Sequence, residues 1–298
     1  MKYKLNKLDK DSSQYKLGLR YQIESVKDFN DVKRGDVGGY VTHEYNLSQL
    51  GTCWLYDNSQ MYGDSRVSRS AEMRNNSKMF DNSQMHHNSK MFDDSQMFDN
   101  TKMFDKSRMH NNSEMHNNSE MHNTSQMHDN SKMFNKSRMH NNSEMFNNSQ
   151  MHNNSKMFDS SQMLDNTKMF DDSQMYNNSE MFDDSNIFDN AKIHDKSQMH
   201  GKSRIWDSSE MHGYYKLHGV LFGDFKLRDN AISRVITNIG SSNANLTINQ
   251  DTNGNVFIGR GCFKGTLSEF REEVINKNDN DIWKNKYLKI IDNIDAFL

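Results

Sequence analysis

The sequence predicts an all-β protein, a parallel β-solenoid of about nine 18-residue coils, and three observations predict it. An apolar residue falls on every sixth position across residues 55–217, at 28 positions without a slip. Methionine fills 22 of these, and every methionine except Met1 is in that register. The chain contains no proline, which suits an unbroken ladder of backbone hydrogen bonds.

A period of six does not fit an α-helix, whose apolar stripe recurs at 3.6 residues. It fits short strands separated by corners. The repeat reads Ser-x-Met-(Phe/His)-(Asp/Asn)-Asn, as in Ser77-Lys78-Met79-Phe80-Asp81-Asn82. Side chains alternate along a strand, so Ser and Met face one way while the residues between and after them face the other. The Asx residues that follow tolerate the left-handed backbone of a tight corner. Ser is small enough to sit beside that corner, and flexible Met can fill an axial core. Three hexads per turn make a triangular coil. A rise of about 4.8 Å per coil then predicts a rod of about 40–45 Å. The structural rival is a flatter 12-residue coil, in which Met79 would stack on Met91 instead of Met97. A disordered low-complexity tract would not hold an apolar residue at all 28 positions.

An open last coil is an unpaired sheet edge, so a solenoid needs different ends. Both flanks break the repeat. Residues 1–50 carry Val26-Lys27-Asp28-Phe29 and Val32-Lys33-Arg34-Gly35-Asp36-Val37-Gly38-Gly39-Tyr40-Val41, and are expected to form a β cap. The solenoid is assigned to residues 51–218. An irregular coil and hairpin are assigned to 219–260, because Leu246–Asn249 and Val256–Gly259 flank the turn signal Asn253-Gly254. A helical cap is assigned to 261–298. It begins at the capping-box pattern Thr266-Leu267-Ser268-Glu269 and has a second amphipathic stretch over 282–297.

Composition narrows the function classes. A formal charge of −3, from 37 Lys+Arg and 40 Asp+Glu, argues against a nucleic-acid or anionic-membrane partner. No apolar run approaches the roughly 18 residues that cross a bilayer, and Met1-Lys2-Tyr3-Lys4-Leu5 lacks the apolar stretch of a secretion signal. Two cysteines, Cys53 and Cys262, do not make a disulfide framework and suit a reducing compartment.

The chain resembles hexapeptide-repeat proteins of bacteriophages and their bacterial hosts. The lead-in Lys27-Asp28-Phe29 through Gly38-Gly39-Tyr40, then Asn46-Leu47-Ser48 and Cys53-Trp54-Leu55-Tyr56, carries one part of the resemblance. Ile239-Gly240-Ser241, Gly261-Cys262-Phe263 and Gly265-Thr266-Leu267-Ser268-Glu269-Phe270 carry the other. Here Met replaces the family's usual Val, Ser replaces Ala, and an aromatic or His follows the core residue. The resemblance implies a left-handed β-helix, in a bacterial cytoplasm or associated with a virion, and it implies fold more than function.

The slot after the core residue holds Phe, Tyr or Trp 14 times and His 11 times, with Ser68, Arg74 and Leu164 the exceptions. It faces outward. Stacked rings there would stabilise neighbouring coils by roughly 0.2–1 kcal/mol per pair. An exposed apolar strip would also suit self-association or capture of a protein or glycan. The candidate interaction face is Phe98, His116, Phe134, His152, Phe170, Phe188 and Trp206. The 18-residue spacing stacks His110 on His128, His122 on His140, His194 on His212 and His200 on His218. Such pairs lie within bridging distance of one ion, but two ligands without a third make a poor metal site, so no metal is expected. Protonation of stacked imidazoles near pH 6.5 is expected to loosen the coils. Corner carboxylates such as Asp93-Asp94, Asp171-Asp172 and Asp183-Asp184 serve turn geometry as readily as Ca²⁺.

The expected function is that of a non-catalytic structural or binding solenoid, with no cofactor. The alternative is a hexapeptide-repeat acyltransferase using coenzyme A. Such enzymes use a differentiated His and a loop extruded from a coil to shape the pocket. The hexads here run uninterrupted, and His43 stands alone in the N-terminal cap.

Overall fold

The structure, a computed structural model, describes residues 1–222, 226–227, 231–239, 244–251, 253–277 and 281–298. Gly240 and Ser241 of the C-terminal resemblance lie outside the described residues. The chain divides into two compact units, Met1–Asn166 and Thr167–Leu298.

The first unit opens with two antiparallel strands, Tyr3–Lys7 and Tyr21–Ser25, bridged by the short helix Ser13–Lys16. Ser12 caps that helix by accepting a hydrogen bond from the Tyr15 amide. A third strand, Val37–Val41, pairs antiparallel with the second and then runs parallel to Gln60–Met61. Its glycines are a packing requirement. A Cβ on Gly38 would sit 2.5 Å from the Leu55 carbonyl oxygen, and one on Gly39 would sit 2.3 Å from that of Ser59. Leu47 bridges Val67, so Val41, Leu47 and Leu55 form a first coil before the regular hexads begin.

From there each strand is two residues long, one facing out and one facing in, as in Lys78–Met79 and Gln96–Met97. Met97 pairs with Met79 and with Met115, and Met133 pairs with Met115 and with Met151. The coil is therefore 18 residues with three strands, and the 12-residue alternative fails. Ser and Met of the hexads are both 0 % exposed, as the alternation predicts. Two amides per strand feed the next coil: Lys78 N–H donates to the Ser95 carbonyl (3.0 Å) and Phe80 N–H to that of Met97 (2.9 Å). The corners take positive φ at Asx, for example 57° at Asp81, Asp93 and Asp99 and 57° at Asn141.

The second unit continues the same hexads from Lys168–Met169 to Lys216–Leu217. Gly219 then shortens a corner, and Leu221 follows Leu217 after four residues instead of six. Val220–Leu221 still pairs with Arg204–Ile205, and Lys226–Leu227 with Glu210–Met211. These late strands and the early Val41–Leu47–Leu55 turn bring the solenoid to about ten coils.

A four-stranded antiparallel sheet follows, in the order Ile232–Ile239, Ala244–Gln250, Val256–Arg260, Phe263–Thr266. It contains the expected hairpin about Asn253-Gly254, with Gly254 at φ 85°. Thr247 and Asn249 hold the sheet to the last coil: Val220 N–H donates to Thr247 Oγ1 (3.1 Å) and Asn249 Nδ2 to the Val220 carbonyl (2.9 Å). The solenoid edge is thereby covered. Helices Leu267–Lys277 and Asp281–Asp292 pack Phe270, Val274, Tyr287 and Ile291 on Ile239, Leu246, Ile248 and Ile258. The capping box forms as expected, with Glu269 accepting from the Thr266 amide (2.7 Å) and Thr266 Oγ1 from the Glu269 amide (3.3 Å).

Candidate functional site

The ring slot forms flat stacks along each face because the coil spacing matches the contact distance of parallel rings. In the first unit one column runs Phe98–His116 (4.6 Å between centroids), His116–Phe134 (5.0 Å) and Phe134–His152 (4.9 Å), with interplanar angles of 5–11°. In the second unit Phe170–Phe188 (5.0 Å) and Phe188–Trp206 (4.3 Å) form a matching column. The other faces behave alike, as in Phe92–His110 (4.6 Å) and Phe104–His122 (4.9 Å).

All four predicted histidine pairs stack: His110–His128 at 4.9 Å, His122–His140 at 4.8 Å, His194–His212 at 4.3 Å and His200–His218 at 5.1 Å. The idea that each pair could bridge one ion does not survive this geometry. A ligating lone pair lies in the ring plane, and the pairs are within 1–16° of parallel, so their lone pairs do not converge. Among the described residues no group of three or more His, Cys, Asp or Glu is gathered for a metal.

The rings are also less available than an exposed apolar strip requires. Inside a column a ring such as His116 or Phe134 is covered on both faces by its neighbours, and no Phe, Tyr or Trp of the slot is among the exposed large hydrophobics, which include Leu17, Leu50 and Tyr214. What reaches solvent is ring edge. His116, His122 and His212 keep only 22–26 % of their side-chain surface exposed. At the end of its column Trp206 lies under Lys264, whose Nζ is 4.1 Å from the ring centroid.

A row of charged and amide side chains runs beside each ring column and is bonded to it. Glu114 meets His116 Nε2 at 3.0 Å and Lys132 Nζ at 2.9 Å. Burial alone would raise the Glu114 carboxyl; hydrogen bonds from His116 and Lys132 reverse this and hold it below the usual range. Glu120 lies between Lys102 (3.7 Å) and Arg138 (3.3 Å), and Glu144 between Gln126 (3.0 Å) and Gln162 (3.1 Å). Burial lowers the imidazoles of His110, His128, His140, His194 and His200 below their ordinary value. The stacked partner adds to this for His110, His140, His194 and His200.

Two of the slot's exceptions are active members of the lattice. Arg74 lies 3.8 Å over the Tyr56 ring and pairs with Glu72 (2.9 Å) and Asp31 (3.4 Å), tying the lead-in to the first coils. Ser68 hydrogen-bonds His86 Nδ1 at 2.7 Å. Their departure from the ring pattern was the visible signal. Not visible was a buried contact between Lys2, outside the hexads, and Cys53, far from it in sequence.

Corner positions form ladders of their own. On one edge of the first unit the residues are Asp57, Asn75, Asp93, Asn111, Asp129, Asn147 and Asp165, one per coil. Each Asn amide donates to the Asp that follows, at 2.7 Å to Asp93, 2.6 Å to Asp129 and 3.0 Å to Asp165. His43, the isolated cap histidine, stacks on Tyr45 at 4.9 Å. Cavities of about 560, 380 and 240 Å³ lie at the C-terminal helices, at Glu72 and Lys90, and at Cys262, and none is lined by a histidine. Among the described residues no helix is long and apolar enough to cross a membrane.

No protein-family model matches the chain. A curated protein of Escherichia coli (strain K12), described as the uncharacterized acetyltransferase YdcK, is 43 % identical over 51 residues. That stretch is 17 % of this chain and 16 % of the other protein, so the chain spans only about a sixth of this relative's length.

Proposed function

We propose that this chain is a non-catalytic structural or binding solenoid that works through its repeated faces. The observation that supports this reading is the sameness of the lattice. Ring columns and charge rows recur coil after coil, and a shaped, differentiated site of the kind catalysis needs is not built into them. The columns Phe98–His116–Phe134–His152 and Phe170–Phe188–Trp206 carry the proposal. They present ring edges beside Lys, Glu and Gln rather than open ring faces, which suits an ordered, partly polar contact with a second copy or another protein better than stacking on a sugar.

The test replaces Phe134, Phe170 and Phe188 together by Ser and compares them with Phe92, Phe146 and Phe182 on another face. Light scattering should show loss of self-association in the first set alone, with circular dichroism unchanged. Equal masses for both sets and the parent chain would remove the proposal.

The short likeness to an acetyltransferase favours a second reading, an acyltransferase-related chain. It expects saturable binding of coenzyme A by titration calorimetry, and a flat titration would remove it.

A further inference from the structure

Lys2 and Cys53 form a closed pair at the junction of the lead-in and the first coil. Lys2 is 1 % exposed and Cys53 is 0 % exposed. Lys2 Nζ lies 3.2 Å from Cys53 Sγ and 2.8 Å from the Cys53 carbonyl oxygen. The Tyr3 and Phe29 rings flank it at 6.0 and 5.4 Å, and Trp54 packs edge-on against both. No carboxylate is ion-paired with this lysine among the described residues. A buried ammonium without a counter-ion is costly, so the site favours the neutral amine. Burial accordingly lowers the lysine and raises the thiol, and both shifts run towards the neutral amine and thiol.

We propose that Lys2 and Cys53 are an oxidation site at which one oxygen atom bridges the lysine nitrogen and the cysteine sulfur. The oxidant is dioxygen. One N–H and the S–H bond break, N–O and O–S bonds form, and the second oxygen leaves as water with the two hydrogens. Nitrogen and sulfur each give up two electrons, and dioxygen takes all four. The pair is in contact already, so a single inserted atom closes the link without moving the backbone. Proximity in a dry, walled site supplies the orientation such a step needs. Exposed Cys262 has no such enclosure and follows ordinary thiol oxidation. The cross-link ties the first strand to the first coil across 51 residues of sequence, so the oxidised chain unfolds less readily. Excess dithiol returns amine and thiol.

The experiment uses the full chain carrying Cys262→Ser, held in oxygen-saturated buffer and digested for mass spectrometry. The expected result is a Lys2 peptide joined to a Cys53 peptide, heavier than their sum by one oxygen less two hydrogens. Dithiothreitol should separate them, and the oxidised chain should melt at a higher temperature than the reduced one. Lys2→Arg should abolish both the link and the shift. Recovery of the Lys2 peptide unlinked, with Cys53 either free or carrying added oxygens alone, would overturn the proposal whatever the variant does.

Discussion

Met133→Ala probes the axial core most directly. Met133 is 0 % exposed and sits between Met115 and Met151 of the adjacent coils. The substitution deletes about three methylene-sized groups, a transfer loss of roughly 2.4 kcal/mol at ~0.8 kcal/mol each. A cavity contribution adds to this, but Met115 and Met151 are unbranched and can lean into the gap. The total should fall at about 2–3 kcal/mol, the low end for Met→Ala in a core. Met133→Ile keeps most of the volume and should stay below about 1.5 kcal/mol. The array already carries Ile187, Ile193 and Ile205 at this position. Native-state hydrogen exchange is the assay. The amides of His116 and Phe134, bonded to the Met133 and Met151 carbonyls at 2.9 Å, should lose protection roughly 30- to 150-fold, given a tenfold change per ~1.4 kcal/mol. Because each repeat touches only its neighbours, the loss should fade within a coil or two. A loss under about 1 kcal/mol, or an equal one for Met133→Ile, would refute a close-packed methionine core.

Acid should weaken the fold through its histidines. Folded-state values of His110, His128, His140, His194 and His200 lie below the unfolded value of about 6.5. The unfolded chain therefore binds more protons just under that pH, and stability is full above it and falls as pH drops towards the lowered values. Melting temperatures from pH 7.5 to 5 should show this, and the double variant His128→Phe/His140→Phe should flatten the slope. At the corners, Asp99 has φ 57°, so Asp99→Val should lower stability by about 1–2 kcal/mol in urea while Asp99→Gly changes it little. Gly39→Ala places a methyl 2.3 Å from the Ser59 carbonyl oxygen and should lower stability by about 1–3 kcal/mol, read as faster proteolysis of residues 1–40.

The hexads were legible because a strand alternates and a corner needs Asx, so Ser, Met and the slot after Met fall to fixed sides of the backbone. Three strands per coil, and the histidine pairs that depend on them, were expected, but the period of six alone also fits a 12-residue coil, and the pairing of Met97 with Met79 and Met115 decides between them. The availability of the rings did not. Reading Phe134 as outward is correct, but its stacking on His116 and His152 covers both faces, and that follows from coil spacing rather than residue type. The ends were read as changes of pattern, yet Gly219 shortening a corner while the pairing survives is a matter of three-dimensional closure. The Lys2–Cys53 contact lay beyond reach, since nothing in either residue's neighbourhood marks the other as its partner.

The Asp/Asn ladder on one edge of the first unit bears on how such an array can change length. Along that edge, aspartate and asparagine take turns, so the smallest step that returns the same residue is two coils. Losing one hexad would send every later residue to a different face. Losing one coil would restore the faces but seat one carboxylate directly on another. Only loss or gain of a coil pair leaves every contact on that edge as it was.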